Sequence, residues 1–308
     1  MLHKSVLLKE SIESLDIHDG GIYVDCTLGY AGHSSEILKR IPNGYLYAFD
    51  QDSYAINYSK EKLLQIGDNF KVIKSNFANL EEELSKDGVT SVQGILFDLG
   101  VSSVQLDFDE RGFSFHKDAK LDMRMDTSCE LTAYTVVNTY SYQDLVRIFR
   151  DYGEEKYAGS VARNIVQYRE TKDIETTLEL VDIIKSGMPY KAMREGHPAR
   201  RIFQAIRIEV NNELEVLREA LEQSLEMLSV GGRLAVITFQ SLEDRIVKQA
   251  FREVSEVSSE IAKLPFIPDC YLPKFKVIEK GLKPSACELE KNNRARSSRL
   301  RVIEKIRD

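Results

Sequence analysis

The sequence predicts an α/β fold in which a parallel sheet, covered by helices on both faces, is interrupted by an all-helical insertion. Along the first hundred of its 308 residues, short β-rich runs alternate strictly with helix-spaced apolar patterns, which is typical of βαβ units. The β-rich runs are continuously apolar, as expected for strands buried on both faces. A long helical stretch then separates these runs from one further apolar strand.

Four strands are predicted in the first part of the chain, namely "GIYVDC", "GYLYAFD", "FKVIKSN" and "VQGILFDLG". The segments between them, "HSSEILKRI", "SYAINYSKEKLLQI" and "LEEELSKDG", have the apolar spacing of helices. Parallel strands joined by helical crossovers end at one edge of the sheet, where open α/β folds bind their ligands. We therefore expect the functional residues just after these strands.

The alternation stops after Gly100, where "VSSVQLDFDERGFSFHKDAKLDMRMD" has neither period. Loops of this length inside a compact domain are often functional, and this one is a candidate lid over a bound ligand. The pattern is then helical until a glycine pair introduces the strand "GGRLAVITFQ" and the helix "SLEDRIVKQAFREV". These observations predict a sheet domain of residues 1–107 and 214–308 and an inserted helical domain of residues 108–213.

Composition narrows the class of protein. A hydrophobic fraction of 43% with 30% charged residues is typical of a soluble globular protein, and no apolar run approaches the roughly 18 residues of a membrane span. The net charge of −7 argues against a wholly basic surface but leaves room for local basic patches. Membrane association is therefore not expected, whereas contact with nucleic acid stays open.

The four cysteines, Cys26, Cys129, Cys270 and Cys287, are widely separated and form no CxxC pair. A zinc site would need ligands at short, regular spacing, and a disulfide framework is typical of small secreted domains. The sequence therefore predicts no metal ligands and a cytoplasmic location.

The turn after the first strand, "VDCTLGYAGHS", indicates a cofactor. A dinucleotide site requires G-x-G-x-x-G, but here Asp25 precedes only two glycines, Gly29 and Gly32, and a carboxylate disfavours a pyrophosphate. The ammonium and sulfonium charges of S-adenosylmethionine tolerate Asp25, and Asp50 after the second strand is placed to accept ribose hydroxyls. The alternative is that the glycines only shape the turn and that Asp25 bonds within it.

Two more strand ends support this interpretation. Asn76 and Phe77 follow the third strand, and Asp98 ends the fourth. An aromatic ring at this edge can stack on adenine, and a carboxylate can accept a hydrogen bond from an exocyclic amine. Because the strand ends share one edge, these residues are predicted to converge with the turn on a single crevice.

Longer motifs carry a resemblance to a known family. "ILFDLGVSSVQLDFDERGFSFHKDAKLDMRMD", "RRIFQAIRIEVNNELE", "FQSLEDRIVK" and "RARSSRLR" resemble the bacterial ribosomal RNA small subunit methyltransferase H family. The resemblance implies a class I S-adenosylmethionine-dependent methyltransferase with a Rossmann-like parallel sheet. It also implies methylation of the exocyclic N4 of a cytidine in the decoding region of 16S rRNA, with the small ribosomal subunit as partner. A homodimer is left open.

Carried over by position, the resemblance implies seven cofactor contacts: Ala31, Gly32, His33, Asp50, Phe77, Asp98 and Gln105. Asp25 joins them as a charge partner. The chain departs from the family at Gln240, where the motif F-H-S-L-E-D-R has histidine. An imidazole base at that position is therefore not available to this protein.

The expected chemistry assigns Asp98 a second role. The N4 of cytosine is a poor nucleophile because its lone pair is delocalised, so a hydrogen-bond acceptor on N4 would help the transfer. Many amino-methyltransferases place that acceptor in D/N/S-P-P-Y/F/W after the fourth strand, whereas this chain has "DLGV". Asp98 is the candidate acceptor for the amine, the cofactor or both.

Several aromatic and basic residues are predicted to contact RNA. Phe113 and Phe115 are candidates to stack on an extruded base, with anchoring in a core as the alternative. Basic candidates for the phosphates stand in three places along the chain: Arg124, Arg200, Arg201, Arg294, Arg296 and Arg299. The alternatives are an Arg–Asp network around Arg124 and an ordinary solvated edge for the others.

Two other functions compete with a methyltransferase. A nicotinamide-dependent oxidoreductase could use the same sheet, but the missing third glycine and Asp25 disfavour it. A non-catalytic RNA-binding or ribosome-assembly factor could retain a cofactor fold, and Gln240 keeps this alternative open. Methyl transfer to a small-subunit substrate discriminates it from the enzyme.

Overall fold

The computed structural model describes residues 5–100, 111–194 and 196–308. Within these ranges it gives the sheet, the helices and most of the predicted site. Gln105, the predicted domain boundary at residues 107 and 108, and the first part of the candidate lid lie outside them.

Contacts within the chain separate two compact units. The sheet unit comprises Met1–Gly100 and Leu214–Asp308, and the helical unit comprises Val101–Glu213. Each unit has apolar clusters of its own.

The sheet unit contains a seven-stranded mixed sheet with the order β3-β2-β1-β4-β5-β7-β6. The strands are β1 Ile22–Asp25, β2 Tyr45–Asp50, β3 Phe70–Lys74, β4 Val92–Asp98, β5 Leu228–Thr238, β6 Phe275–Leu282 and β7 Arg299–Lys305. The first five are mutually parallel, which confirms the predicted parallel sheet, and β7 pairs antiparallel with both β5 and β6. The last two strands were not predicted from the sequence.

Helices precede, connect and follow these strands. They are α1 Leu8–Ser14, α2 Gly32–Leu38, α3 Ser53–Leu64, α4 Leu80–Ser85, α5 Ala133–Thr139, α6 Tyr142–Asp151, α7 Ala158–Arg169, α8 Thr177–Ser186, α9 Tyr190–Arg194, α10 Arg200–Asn211, α11 Glu213–Met227, α12 Ser241–Ser255 and α13 Ala286–Lys291. In the part of the chain that the structure describes, no helix combines the length and the apolar character that crossing a bilayer requires.

The central strands are buried on both faces because successive side chains point to opposite sides. Tyr23 belongs to a cluster with residues of α1, α2 and α3, whereas its neighbour Val24 packs with residues of α4, α11 and α12. Leu96 and Phe97 of β4 divide in the same way. This double burial explains the continuously apolar strands seen in the sequence.

The helical unit packs α5 to α8 and α10 around a separate core that includes Phe149, Ile165 and Ile184. Local sequence fixes where its helices begin. The Thr176 side chain caps α8, and the Glu179 carboxylate accepts from the Thr176 amide, which completes a capping box. The described part of the insertion is therefore helical, as its periodicity predicted.

Candidate active site

Three acidic residues end three neighbouring parallel strands. Asp25 ends β1, Asp50 ends β2 and Asp98 ends β4, and β1 lies between the other two in the sheet. In the register of the sheet Asp25 stands opposite Ala48 and Leu96, two residues before the ends of those strands. The structure thus brings the three predicted carboxyl groups to one edge of the sheet.

Asp25 organises the turn that follows β1. Its Oδ1 accepts from the Thr27 amide at 3.0 Å and its Oδ2 from the Ser34 hydroxyl at 2.6 Å, and the residue is only 1% exposed. The Thr27 hydroxyl also accepts from the Asp98 amide at 2.7 Å, so this turn is tied to the end of β4. Asp25 therefore bonds within the turn, the alternative that the sequence left open.

The glycines of the turn serve the backbone and its packing. Gly29 has a φ of +47°, in the left-handed region that favours glycine, and Ala31 has a φ of 54° in the same region. A Cβ on Gly32 would overlap the Ser5 hydroxyl. The structure thus explains Gly32 by its contact with Ser5, a constraint that spacing within the motif does not reveal.

The Asp50 carboxylate closes the same turn from β2. Its Oδ2 accepts from the Gly29 amide at 3.0 Å and its Oδ1 from the Asp52 amide at 2.9 Å. Burial raises the pKa of Asp50 to about 6, although the amides of Asp52 and Gly29 oppose the shift. Because a carboxylate oxygen has two lone pairs, each oxygen still has capacity for a ligand hydroxyl.

Asp98 lies against His33. The His33 Nδ1 is 3.7 Å from the Asp98 Oδ2, and the imidazole is 4% exposed. The Asp98 Oδ1 is buried and has no hydrogen-bond partner among the residues that the structure describes. Burial first, and then the charges of Asp25 and Glu243, raise the pKa of Asp98 to about 8. This carboxyl group is therefore largely protonated at neutral pH.

Glu243 is a site residue that sequence reasoning missed. It is 4% exposed, and its Oε2 accepts from the amides of Phe239 at 3.0 Å and Gln240 at 3.2 Å. It thereby shapes the start of α12 just after β5, and its charge acts on Asp98. The available signal was the acid three residues into the helix after an apolar strand, the spacing of a capping box.

Phe77 follows β3, beside the strand that carries Asp50. Its ring is partly buried and meets the Phe97 ring edge-on, with centroids 5.3 Å apart. The Asn76 side chain accepts from the Ala78 amide at 2.9 Å and so begins the short 3₁₀ turn Phe77–Asn79. Phe77 therefore has a fixed position at the edge where adenine stacking was predicted.

Comparison with known proteins assigns the chain to a family. Residues 1–306 match the MraW methylase family. The chain belongs to that family. Its sheet, with five parallel strands and β7 antiparallel between β5 and β6, is the class I S-adenosylmethionine-dependent methyltransferase fold. The predicted family, fold class and cofactor are thereby confirmed.

Solved structures of low identity extend over nearly the whole chain. An rRNA methylase from Streptococcus thermophilus is 14% identical with a TM-score of 0.45, and covers 100% of this chain and 99% of its own. An rRNA methylase from Clostridium thermocellum is 14% identical with a TM-score of 0.46, at 99% and 100% coverage. A methyltransferase from Streptococcus mutans, solved in complex with SAH, is 15% identical with a TM-score of 0.42, and the match covers 99% of this chain and 99% of that one.

The residues at the strand edge suit the cofactor of the MraW methylase family. The buried Asp98 Oδ1 offers an acceptor, Asp50 retains capacity for ribose hydroxyls, and the negative charges of the cluster suit a cationic ligand. In the described ranges, no group of three or more His, Cys, Asp or Glu side chains is arranged to hold a metal ion.

Two of the predicted RNA contacts in the helical unit have structural roles. Phe113 is 7% exposed and belongs to the core, with the Arg111 guanidinium 5.9 Å from its ring centroid, so its ring is not presented to a base. Arg124 donates from Nε and Nη2 to Asp122 and from Nη1 to the carbonyls of Thr127 and Cys129. Phe113 thus anchors the loop in the core and Arg124 forms an Arg–Asp network, which are the alternatives that the sequence left open for these two residues.

The Phe115 side chain is partly exposed to solvent. It is partly buried, stacks on the His197 ring at a centroid distance of 4.4 Å, and meets Phe203 edge-on at 5.8 Å. Nearby in sequence, Arg200 and Arg201 are exposed at the start of α10. These three residues remain compatible with the predicted contact to RNA.

The C-terminal arginines divide into exposed and buried positions. Arg294 and Arg296 are exposed on the short turn Asn293–Ser297, and Arg299 is exposed at the first position of β7. Arg301 of the same run is buried and donates to both carboxylate oxygens of Asp244, at 2.7 and 3.0 Å. Arg301 therefore forms a structural ion pair, whereas the other three arginines of the run stay exposed.

Proposed function

We propose that this MraW methylase transfers a methyl group to the exocyclic N4 of a cytidine in the decoding region of 16S rRNA, within the small ribosomal subunit. The observation that carries the proposal is the Asp98 carboxyl at the end of β4, with a buried oxygen that has no partner among the described residues. An amine is the ligand group that such an acceptor suits. The motifs shared with the rRNA methyltransferase H family support the choice of cytidine N4.

The residues have separable tasks toward the cofactor. Asp50 would hold the ribose hydroxyls, Phe77 would contact the adenine, and the turn from Gly29 to His33 would surround the methionine end. When bound, S-adenosylmethionine supplies a methyl group already activated by the sulfonium charge. Because the transfer is an in-line displacement, orienting the amine supplies much of the rate.

Asp98 orients that amine and accepts its hydrogen bond. A protonated Asp98 still offers its carbonyl oxygen as an acceptor, and its proton has a neighbour in His33, 3.7 Å away. The positive charge that develops on the amine during the transfer favours the ionised form of Asp98. The carboxyl group therefore becomes a stronger hydrogen-bond acceptor as the transfer proceeds. Glu243 positions the Phe239–Gln240 backbone beside it.

The mechanism uses no histidine at position 240. Gln240 is the first residue before α12, and its backbone amide donates to Glu243. An amide side chain has no pKa in the range of a general base, so the role assigned here is that of Asp98, which orients the amine by accepting a hydrogen bond from it. The same residue favours the second candidate function, a non-catalytic RNA-binding factor, which the following experiment separates from the enzyme.

The test uses radiolabelled S-adenosylmethionine and small subunits from cells that lack the endogenous enzyme, followed by nucleoside analysis. We expect label in N4-methylcytidine, and roughly a hundredfold less in Asp98→Ala, since loss of the group that orients a reactant can cost about 10²-fold. Asp87→Ala, an acid ion-paired with Lys71 at the surface, is the matched control. Label in another nucleoside overturns the N4 assignment, and no label with intact cofactor binding favours the binding factor.

A further inference from the structure

An exposed aromatic ring stands beside a run of positive charge in the helical unit. Tyr190, the first residue of α9, is 70% exposed, and the Arg194 guanidinium lies 5.0 Å from its ring centroid. A tyrosine this exposed contributes little to a core. Its ring and the planar guanidinium instead form a surface of the kind on which unpaired bases stack.

A second aromatic group follows within three residues of Arg194. The His197 ring stacks on Phe115 and meets the His116 ring at a centroid distance of 5.2 Å. His116 is exposed and His197 is half-buried, so the edge of this stack reaches the surface. The Phe203 ring supports Phe115 from the core side. The stack is therefore held in place by the protein before any ligand arrives.

The segment that carries Tyr190 is basic in sequence although the chain as a whole carries −7. Two of its cations face acids from outside the segment, Lys185 at 3.0 Å from Asp182 and Arg201 at 4.0 Å from Glu155. The residues between 185 and 201 include five cations and a single acid, Glu195. The cations are Lys185, Lys191, Arg194, Arg200 and Arg201. Interleaved cations and exposed rings suit a flexible polyanion whose bases are free to stack, which is single-stranded RNA.

We infer that Tyr190 and Arg194, together with the His116–Phe115–His197 stack, form a contact surface for an unpaired segment of the RNA substrate. This inference rests on the proposed function for its source of RNA. Tyr190 stacks on a base, Arg194 contacts the adjacent phosphate while covering the ring, and the histidine stack borders the next nucleotide. The surface contributes to substrate affinity and takes no part in the methyl transfer itself.

The test measures binding of a fluorescein-labelled 16-nucleotide oligocytidine RNA to the full chain by anisotropy, and KM and kcat with small subunits. We expect Tyr190→Ala to weaken RNA binding on the order of tenfold, in line with the loss of one stacked base, and to raise KM while kcat is kept. Tyr190→Phe retains the ring and binds within about twofold of wild type. Arg194→Gln weakens binding and lowers the dependence on salt by about one phosphate contact.

Tyr271→Ala removes a tyrosine of comparable exposure from the sheet unit and serves as the control. Unchanged binding and KM in Tyr190→Ala would overturn the surface while leaving the proposed function intact. Absence of oligonucleotide binding by the wild-type protein also overturns it. Variants that bind small subunits more weakly but bind the oligonucleotide as well as wild type overturn it too, because they indicate a contact with ribosomal protein. Failure of the proposed function is seen separately, as absence of methyl transfer by the wild-type enzyme.

Discussion

The His33 imidazole and the Asp98 carboxyl face each other across the strand edge, with Nδ1 and Oδ2 3.7 Å apart. His33 reaches this position from the second residue of α2, and Asp98 from the last residue of β4. The Thr27 hydroxyl accepts from the Asp98 amide and donates to Asp25. Because Asp25 also accepts from the Ser34 hydroxyl of α2, the helix start and the strand end are held in one arrangement. Asp98 is consequently buried among other acids, which determines how it titrates.

The protonation of Asp98 predicts a pH-dependent stability. Its pKa is about 8 in the folded protein against an ordinary value of 3.8, so its contribution to stability is present below pH 3.8 and is lost as the pH rises through 8. In the absence of cofactor, we expect Asp98→Asn to become more stable relative to wild type between pH 5 and 7, by at most about 1.4 kcal/mol per pH unit. Urea unfolding at pH 5, 6 and 7 measures this. A difference that does not change with pH would contradict it.

Asp50→Ala is expected to abolish tight cofactor binding. The substitution removes the acceptor proposed for the ribose hydroxyls and releases the Gly29 amide that Asp50 holds. Hydrogen bonds to charged groups contribute about 1.5–3 kcal/mol, so the dissociation constant should rise by roughly ten- to a hundredfold. Calorimetry with S-adenosylhomocysteine gives the value, and Asp87→Ala is the control. Equal affinity in both variants argues against the cofactor role of Asp50.

Gly32→Ala tests whether this glycine serves packing. The new methyl group would overlap the Ser5 hydroxyl, and we expect a loss of stability of about 1–3 kcal/mol. Ser5→Gly removes the atoms that clash, so the double variant should recover most of the loss. Thermal unfolding of the four proteins forms a double-mutant cycle. Additive effects would show that the contact with Ser5 is not the reason for glycine.

Arg124→Gln separates the structural role of Arg124 from contact with RNA. The guanidinium bonds Asp122 and two carbonyls of its own loop, so its loss should lower the stability by about 1–3 kcal/mol. RNA affinity measured well below the melting temperature should stay within about twofold, since a surface phosphate contact is not removed. A large fall in affinity without a change in melting temperature would support the phosphate contact first predicted.

His197 should titrate below an ordinary histidine. Burial, then His116, then Lys185 lower its pKa from 6.5. Its contribution to stability is present above pH 6.5 and is lost as the pH falls through the folded-state pKa, because the unfolded chain takes up the proton first. NMR titration of the ring measures this pKa, and His116→Ala should raise it toward 6.5. A wild-type pKa at or above 6.5 is the contrary result.

The sequence predicted the parallel part of the sheet because β1 to β4 are buried on both faces and alternate with helices. It did not predict β6 and β7, whose charged residues and antiparallel pairing hide the strand pattern at the side of the sheet. Arg301 illustrates the difficulty, since it belongs to a basic run in sequence but reaches Asp244 of α12 in space.

Site residues at the ends of strands could be predicted from the sequence, whereas those placed by packing between distant segments could not. Asp50 and Asp98 follow from their positions after apolar strands. The overlap of Gly32 with Ser5, the burial of Phe113 and the position of Glu243 beside Asp98 arise between segments far apart in the chain. Such contacts leave no local periodicity to read.

The helical unit folds around apolar residues of its own, distinct from the clusters that cover the sheet. A substitution in the core of one unit is therefore constrained by the packing of that unit and not by the core of the other. An insertion built in this way can diverge at its exposed rings and arginines while the acids at the strand edge stay as they are. On the proposed assignment, recognition of RNA by the helical unit and methyl transfer at the strand edge are thus two separately variable properties of one polypeptide.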